Sequence, residues 1–405
     1  MFNLTKINLD DNSTPIQTNT STHNLVKADQ TSNDLNSGID EIAELEGKVA
    51  TANLPKPLED HAYKMIRRIK RMTQYGSYSG EYEVTEKYID WIVSIPWGKE
   101  TKDNLDLAHV KSILDSNHFG IEAIKDRMLE YLAVMNIQEA NDVKAQNEHK
   151  DYTEMARLQG SSAHAPIICF VGLQGIGKTS MAKSIAEALG RKFARISLGA
   201  LGSVYEIRGR SRAFLDAEPG QIVKAMVRTG VSNPLILLDE IDKVSGQEGL
   251  RADVMASLLE ILDPEQNSTF VDHYIDYPID LSKIMFITTA NNLGGLSTAL
   301  LDRLEIVRFT SYTDEEKQRI AIDYLLPKVL EATGLTTDQL KFDEQVWPLV
   351  IRPFGYDAGV RQLERNLTNL ARKVAREIVE KKVTSVVINK DNVKKYLPED
   401  MGVLS

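Results

Sequence analysis

From residue 39 the polar and apolar positions fall into a helical rhythm. Ile42, Leu45 and Val49 recur at three- and four-residue spacing, which predicts an amphipathic helix. A second helix, from Glu59, carries Ala62, Met65, Ile66 and Ile69 on one face and Lys64, Arg67, Arg68, Lys70 and Arg71 elsewhere. A third contains Tyr88-Ile89-Asp90-Trp91-Ile92-Val93 and stops at Pro96-Trp97-Gly98, where proline and glycine end the pattern. Two more helices over 104–135 flank the loop His118-Phe119-Gly120. The stretch 136–165 is polar. Its first part extends the preceding helix, and Gly160-Ser161-Ser162-Ala163-His164-Ala165 reads as a flexible linker.

After Pro166 the texture changes. Short runs that are apolar on both faces, Ile167-Ile168-Cys169-Phe170-Val171, Leu235-Ile236-Leu237-Leu238 and Ile284-Met285-Phe286-Ile287, alternate with helical stretches. That alternation predicts a parallel sheet with helices on each side. From about Thr313 the chain is mostly helical, with one β-like run at Ser385-Val386-Val387-Ile388. Residues 1–38 are rich in Ser, Thr, Asn and Asp and cannot bury enough apolar surface to offset their ordering entropy. The expected organisation is therefore a disordered tail (1–38), a helical unit (39–103), an α/β domain (104–312, with the polar insertion 136–165) and a small helical domain (313–401).

Composition narrows the classes. The 405 residues carry 48 Lys plus Arg against 58 Asp plus Glu, a formal net charge of -10. That balance argues against a dedicated nucleic-acid binder, which needs a clearly basic face; the basic helix around Arg67 is read as a solvated face, with nucleic-acid contact as its weaker rival. The single cysteine, Cys169, forms no internal disulfide. No apolar run reaches a membrane span. The N-terminus lacks the apolar core of a signal peptide. A reduced, cytoplasmic protein is expected.

Two motifs carry chemistry. Gly172-Leu173-Gln174-Gly175-Ile176-Gly177-Lys178-Thr179 follows a predicted strand and opens a helix, the context that a phosphate-binding loop requires. Its backbone N–H groups and the helix N-terminus would hold phosphates, Lys178 the outer ones, and the Thr179 hydroxyl would ligate Mg²⁺. Leu235-Ile236-Leu237-Leu238-Asp239-Glu240 places two carboxylates at a strand end, facing that loop. Asp239 is the candidate metal partner and Glu240 the candidate general base for an attacking water. ATP and Mg²⁺ are the expected nucleotide and metal.

A phosphate loop followed by a hydrophobic-Asp-Glu strand resembles the AAA+ ATPases. Tyr88-Ile89-Asp90-Trp91, Ser94-Ile95-Pro96-Trp97, Asn117-His118-Phe119-Gly120-Ile121 and Gly190-Arg191-Lys192-Phe193 are similar to the Lon family of ATP-dependent proteases. So are Leu262-Asp263-Pro264-Glu265-Gln266-Asn267 with Phe270 and Asp272-His273-Tyr274, Leu301-Asp302-Arg303-Leu304-Glu305, and Tyr356 through Arg365. The resemblance covers residues 39–401. It implies an AAA+ P-loop NTPase of α/β class, with a parallel sheet, an N-terminal helical unit and a C-terminal helical lid. It also implies roles. Asn291 would sense the γ-phosphate, although by spacing alone a turn-forming Asn fits equally. Arg303 would be the finger that reaches a neighbouring subunit's nucleotide, where unaided it reads as half of a surface pair. Arg361 would be the second sensor, its rival being a solvated helix arginine. His118, Phe119 and Gly120 would line the adenine pocket or merely link two helices. Phe214-Leu215 aligns with the aromatic–aliphatic loop that grips unfolded polypeptide, with Phe where tyrosine is common; core packing is the rival.

The family usually continues into a serine–lysine peptidase, and no stretch here resembles its nucleophile motif. The expectation is a self-assembling ring, hexameric by analogy, that unfolds and translocates polypeptide for a peptidase on another chain. A non-proteolytic remodeller, or a nucleotide-binding scaffold without turnover, are the alternatives. Two departures from the family pattern bear on ring geometry and substrate handling. Leu198 through Tyr205 lacks the usual acidic residues, and 136–165 is long.

Overall fold

The computed structural model describes residues 41–73, 79–148, 167–244, 248–352, 357–380 and 382–397. The expected tail 1–38, the linker at 160–165 and Tyr356 lie outside these residues. The chain divides into two compact units, Met1–Val93 and Ser94–Ser405.

The first unit holds helices α1 (41–51), α2 (Lys56–Thr73) and α3 (Ser79–Ser94), the last ending at the boundary. Their apolar stripes are buried at Ile42, Leu45, Val49, Ala62, Ile66, Ile69, Ile89 and Ile92. Lys48 Nζ donates to Asp90 across α1 and α3 at 2.9 Å.

The second unit begins earlier than the expected boundary at 103, because 99–103 is hydrogen-bonded into the α/β domain. Ser232 N–H donates to Lys99 O at 2.6 Å. Asn233 pairs through both amide atoms with the Thr101 backbone at 2.8 Å. Arg191 donates to Asp103 through Nε and Nη2. Helices α4 (Leu107–Asn117) and α5 (Glu122–Glu148) follow, so the helix continues well into the polar insertion.

Strands β1 (Ile167–Val171), β2 (Phe193–Ser197), β3 (Leu235–Asp239), β6 (Met285–Ala290) and β7 (Leu304–Arg308) form one five-stranded sheet in the order β2-β3-β6-β1-β7. Every pairing in it is parallel. This is the α/β fold expected from the buried runs, with two additional strands. β2 and β7 lie at the sheet's edges, are only partly buried, and interleave polar residues that disguise them in a hydrophobicity pattern. Helix α6 (Lys178–Leu189) carries the chain from β1 towards β2. It buries Met181, Ile185 and Leu189 against Val110 and Leu114 of α4 and against Phe170, Leu237 and Ile287 of the sheet. Phe170 and Phe309 meet edge to face at 5.2 Å between centroids. Cys169 is fully buried, and burial raises its thiol pKa.

Between strands lie α7 (Tyr205–Arg208), α8 (Gln221–Thr229) and α9 (Glu248–Leu262), with the small β4–β5 pair (Phe270–Val271 and Pro278–Ile279) and α10 (Thr298–Leu301); α8 packs against β2, and α7 against α8 and α9. The lid comprises α11 (Asp314–Ile320), a π-helical turn (Ala321–Leu325), α12 (Leu326–Thr333), α13 (Trp347–Ile351), α14 (Arg361–Val379) and α15 (Val393–Tyr396). Leu363, Leu367, Leu370 and Val374 of α14 repeat at helical spacing and form its core with Trp347 and Val350. The β-like run becomes β9 (Val386–Ile388), and its parallel partner β8 (Leu340–Phe342) is a strand that three residues between polar neighbours did not announce.

One buried carboxylate organises the loops beside β4. Asp272 is fully buried and accepts from the N–H groups of Gly220, Tyr274 and Ile275 at 2.7, 2.8 and 3.1 Å. Burial raises its pKa, and those three donors oppose the shift. Asp272→Ala removes the acceptor of three backbone donors, each costing on the order of 1 kcal/mol or more when left buried. The expected outcome is destabilisation by about 3 kcal/mol in urea titration; a loss under about 1 kcal/mol would contradict this account.

Candidate active site

The phosphate loop runs from the end of β1 into α6. Gly177, left-handed at φ 99°, caps the helix, and Lys178 is its first residue. Three elements make this N-terminus suited to anions: exposed N–H groups, the helix dipole and a lysine. Lys178 is buried, and its Nζ donates to Leu173 O at 3.0 Å, to Asn291 Oδ1 at 2.9 Å and to Gly172 O. Burial lowers its pKa, opposed by the carboxylates of Asp239, Asp242 and Glu240. Asn291 reaches the lysine because β6 lies beside β1 and ends level with it.

The acidic pair closes the other side. Asp239, the last residue of β3, is 5% exposed. Its Oδ1 accepts from the Thr289 hydroxyl, and its Oδ2 accepts from Arg195 Nε at 2.7 Å and Nη2 at 2.6 Å. The same Thr289 oxygen accepts the Glu240 N–H at 2.9 Å. Glu240 takes a left-handed backbone, φ 60° and ψ 48°, which costs a residue with a Cβ about 1–2 kcal/mol. That turn lifts the Glu240 side chain off the strand, where it accepts from Lys243 Nζ at 2.6 Å. Strain of this kind concentrates at functional sites.

The lid supplies the third wall. Gly359 and Gly175 touch backbone to backbone: a Cβ on Gly359 would lie 2.7 Å from both the carbonyl carbon and oxygen of Gly175. Val360 N–H donates to Gly175 O at 2.9 Å, and Arg361 opens α14 directly over the loop. Tyr312 donates its hydroxyl to Ile176 O at 3.0 Å. The cleft between these walls has a volume of about 430 Å³. His118 and Phe119 line its far end with Ile320, Tyr324 and Leu325. His118 shares a hydrogen bond of 2.9 Å between Nε2 and Ser184 Oγ. Burial, followed by the charges of Lys125 and Lys328, pushes its pKa down to about 4.

Of the residues singled out in the sequence, Gln174, Gly175, Gly177, Lys178, Thr179, Asp239, Glu240, Asn291, Arg361, His118 and Phe119 line this cleft. Gly172, Leu173 and Ile176 complete the loop without facing the cleft, Leu173 outwards and Ile176 into the core. Gly120 makes the turn after Phe119 at φ 63° and does not line the cleft. Arg303 is also absent from its lining: it donates to Ala299 O and to Asp263 Oδ2, both at 3.0 Å. Phe214 is half exposed and Leu215 wholly so, with the Arg210 guanidinium 4.4 Å from the Phe214 ring centroid. These two are not packed in a core. Sequence reasoning missed Arg195, Tyr312, Tyr324 and Lys328. Tyr312 directly precedes the capping box Thr313–Glu316, a helix-start signal that marks where the lid begins.

The cleft offers a hard dication the Thr179 hydroxyl from the phosphate-loop wall and the Asp239 carboxylate from the acidic wall. Among the described residues no group of three or more His, Cys, Asp or Glu side chains is placed to hold a metal. That donor set fits Mg²⁺, which keeps water and phosphate ligands, and fits no all-protein metal cage.

The fold and this cleft define a P-loop ATPase of the AAA+ class. Residues 168–312 match the AAA family (ATPase family associated with various cellular activities), and residues 331–387 match the Lon protease AAA+ ATPase lid domain. The chain is 42% identical to the Lon protease of Endomicrobium trichonymphae over 88% of its own length and 41% of the relative's. For the Lon protease of Dictyoglomus thermophilum the identity is 43%, over 88% of this chain and 42% of the relative. For that of Clostridioides difficile it is 42%, over 91% and 43%. The chain belongs to the Lon family through its AAA+ ATPase module and spans about two fifths of the length of these relatives. No helix among the described residues is long and apolar enough to cross a membrane.

Gly359→Ala forces the lid off the phosphate loop, because the added carbon would lie within 2.8 Å of the Gln174–Gly175 backbone. Nucleotide affinity by fluorescence titration is expected to fall more than about tenfold with little change in urea stability, since the position packs no side chain. Unchanged affinity would mean that the contact is dispensable. For His118, the folded pKa of about 4 lies below its ordinary 6.5, so between these values the unfolded chain binds a proton that the folded chain refuses. Stability is present above pH 6.5 and is lost as pH falls towards 4. His118→Gln is expected to flatten that part of the stability–pH curve; identical curves would contradict the assignment.

Proposed function

We propose that this module hydrolyses Mg²⁺-bound ATP to move polypeptide. The observation that carries the reading is the convergence, in one cleft, of Lys178, Thr179, Asp239, Glu240, Asn291 and the lid's Arg361. The loop backbone and Lys178 bind the phosphates. Thr179 and Asp239 hold the metal, which neutralises phosphate charge when bound. Glu240 accepts a proton as water attacks the γ-phosphorus and the bond to the β–γ bridging oxygen breaks, releasing ADP and phosphate. Asn291 ties Lys178 to the position of the attacking water. Arg361 reports the phosphates to the lid. His118 and Phe119, with Gly120 shaping their turn, receive the base; a neutral His118 suits an uncharged adenine.

Arg303 serves a neighbouring subunit's nucleotide, so activity requires self-assembly, by analogy in a hexameric ring. It exchanges Asp263 for phosphate when it does so. Phe214 and Leu215 grip an unfolded chain: exposed apolar side chains on a polar loop have this as their most direct use. The matching relatives are named Lon proteases, and the moved polypeptide is accordingly delivered to a serine–lysine peptidase beyond these 405 residues. The bare motor of a remodeller shares every step before that delivery.

Steady-state ATPase of the chain, with and without an unfolded protein, tests the reading against Glu240→Gln and Phe214→Ala. Wild-type turnover should rise with polypeptide and fall more than about a hundredfold in Glu240→Gln. Phe214→Ala should keep basal turnover and lose the stimulation. A wild type that binds ATP but turns over no faster than Glu240→Gln would sink the motor and leave a nucleotide-binding scaffold.

A further inference from the structure

Asp239 already has a cation on its open side. Arg195 of β2 is in register with Leu237 of β3, so its side chain emerges on the same sheet face as Asp239, two residues away. The two sides of the carboxylate differ. Oδ1 is anchored from the interior by the buried Thr289 hydroxyl, while Oδ2 receives both guanidinium donors from the cleft. The Arg195 side chain is 50% exposed and that of Asp239 only 7%. Arg195 also lines the nucleotide cleft. Interior packing alone would not place an arginine there.

We propose that Arg195 is a positioning residue that competes with Mg²⁺ for Asp239 and thereby sets how much Mg²⁺ nucleotide binding requires. The proposal rests on Asp239 being the metal's carboxylate partner. A guanidinium and a hydrated dication cannot share one oxygen without strong repulsion, so one must yield. With the guanidinium half exposed, solvent screening holds the contribution of this pair to about 1 kcal/mol, which is about fivefold in a binding constant and weak enough to exchange. On yielding, the guanidinium stays in the cleft, where phosphate oxygens are matched acceptors for its forked donors. The exchange replaces a carboxylate partner by a phosphate one and leaves no buried charge unpaired. Two further cations nearby, Lys178 and Lys243, have acceptors of their own. Neither substitutes for Arg195, since they donate to Asn291 and to Glu240.

The test is Mg²⁺ titration of fluorescent ATP-analogue binding to the full chain, a readout independent of turnover. In Arg195→Gln the half-saturating Mg²⁺ concentration should fall about fivefold. Arg195→Lys, which keeps the charge but loses the second donor, should show a smaller fall of about twofold. A merely structural ion pair would lower the melting temperature and leave the Mg²⁺ midpoint in place. An unchanged or raised midpoint in both variants, or in whichever of them folds, overturns the proposal. Wild-type binding that is indifferent to Mg²⁺, matched by Asp239→Asn, overturns instead the metal reading on which it stands.

Discussion

The site depends on one contact made by backbone alone. Gly359 lies against Gly175, and Val360 N–H closes it with a hydrogen bond of 2.9 Å to the phosphate loop. Without that seat the lid would hang from the residues around Tyr312, and the cleft would lose a wall. The seat is itself held from behind. Lys317 is fully buried and donates its ammonium to Asp357 O, while the Asp357 carboxylate accepts the Gly359 N–H at 3.1 Å. Burying an ammonium is costly unless it is paired, so this lysine fixes the turn from which Arg361 departs.

Around the seat the polar side chains are held in pairs. Lys178 is bound to Asn291, Asp239 to Arg195 and Thr289, Glu240 to Lys243, and Arg303 to Asp263. In a cleft of reduced dielectric an unpaired charge is expensive, and interim partners keep each group placed at low cost. The cycle proposed here is a succession of partner exchanges in which no charge is stranded. The strained backbone at Glu240 belongs to the same arrangement, since Thr289 hydrogen-bonds that residue's N–H and the Asp239 carboxylate through one oxygen.

Much of this was legible in the residues and some was not, for identifiable reasons. β1, β3 and β6 are buried on both faces and read as unbroken apolar runs; β2 alternates buried Ala194 and Ile196 with exposed Arg195 and so looks like loop. The phosphate loop announces itself because its chemistry is local in sequence. Arg195, Tyr324 and Lys328 reach the cleft only through strand register and a π-helical turn, which no local spacing encodes. Arg303 illustrates the opposite limit: a motif named the residue, and the fold gave it an intrachain partner that the motif does not mention.

Cys169 has a practical consequence. The chain's sole thiol sits in the central sheet with no exposed surface and a raised pKa, so little reactive thiolate forms there at neutral pH. The native sequence is therefore already a silent background for maleimide chemistry. A cysteine introduced at the fully exposed Leu215 would take a fluorophore or crosslinker alone, making the loop's surroundings observable without first stripping the protein of its own sulfur.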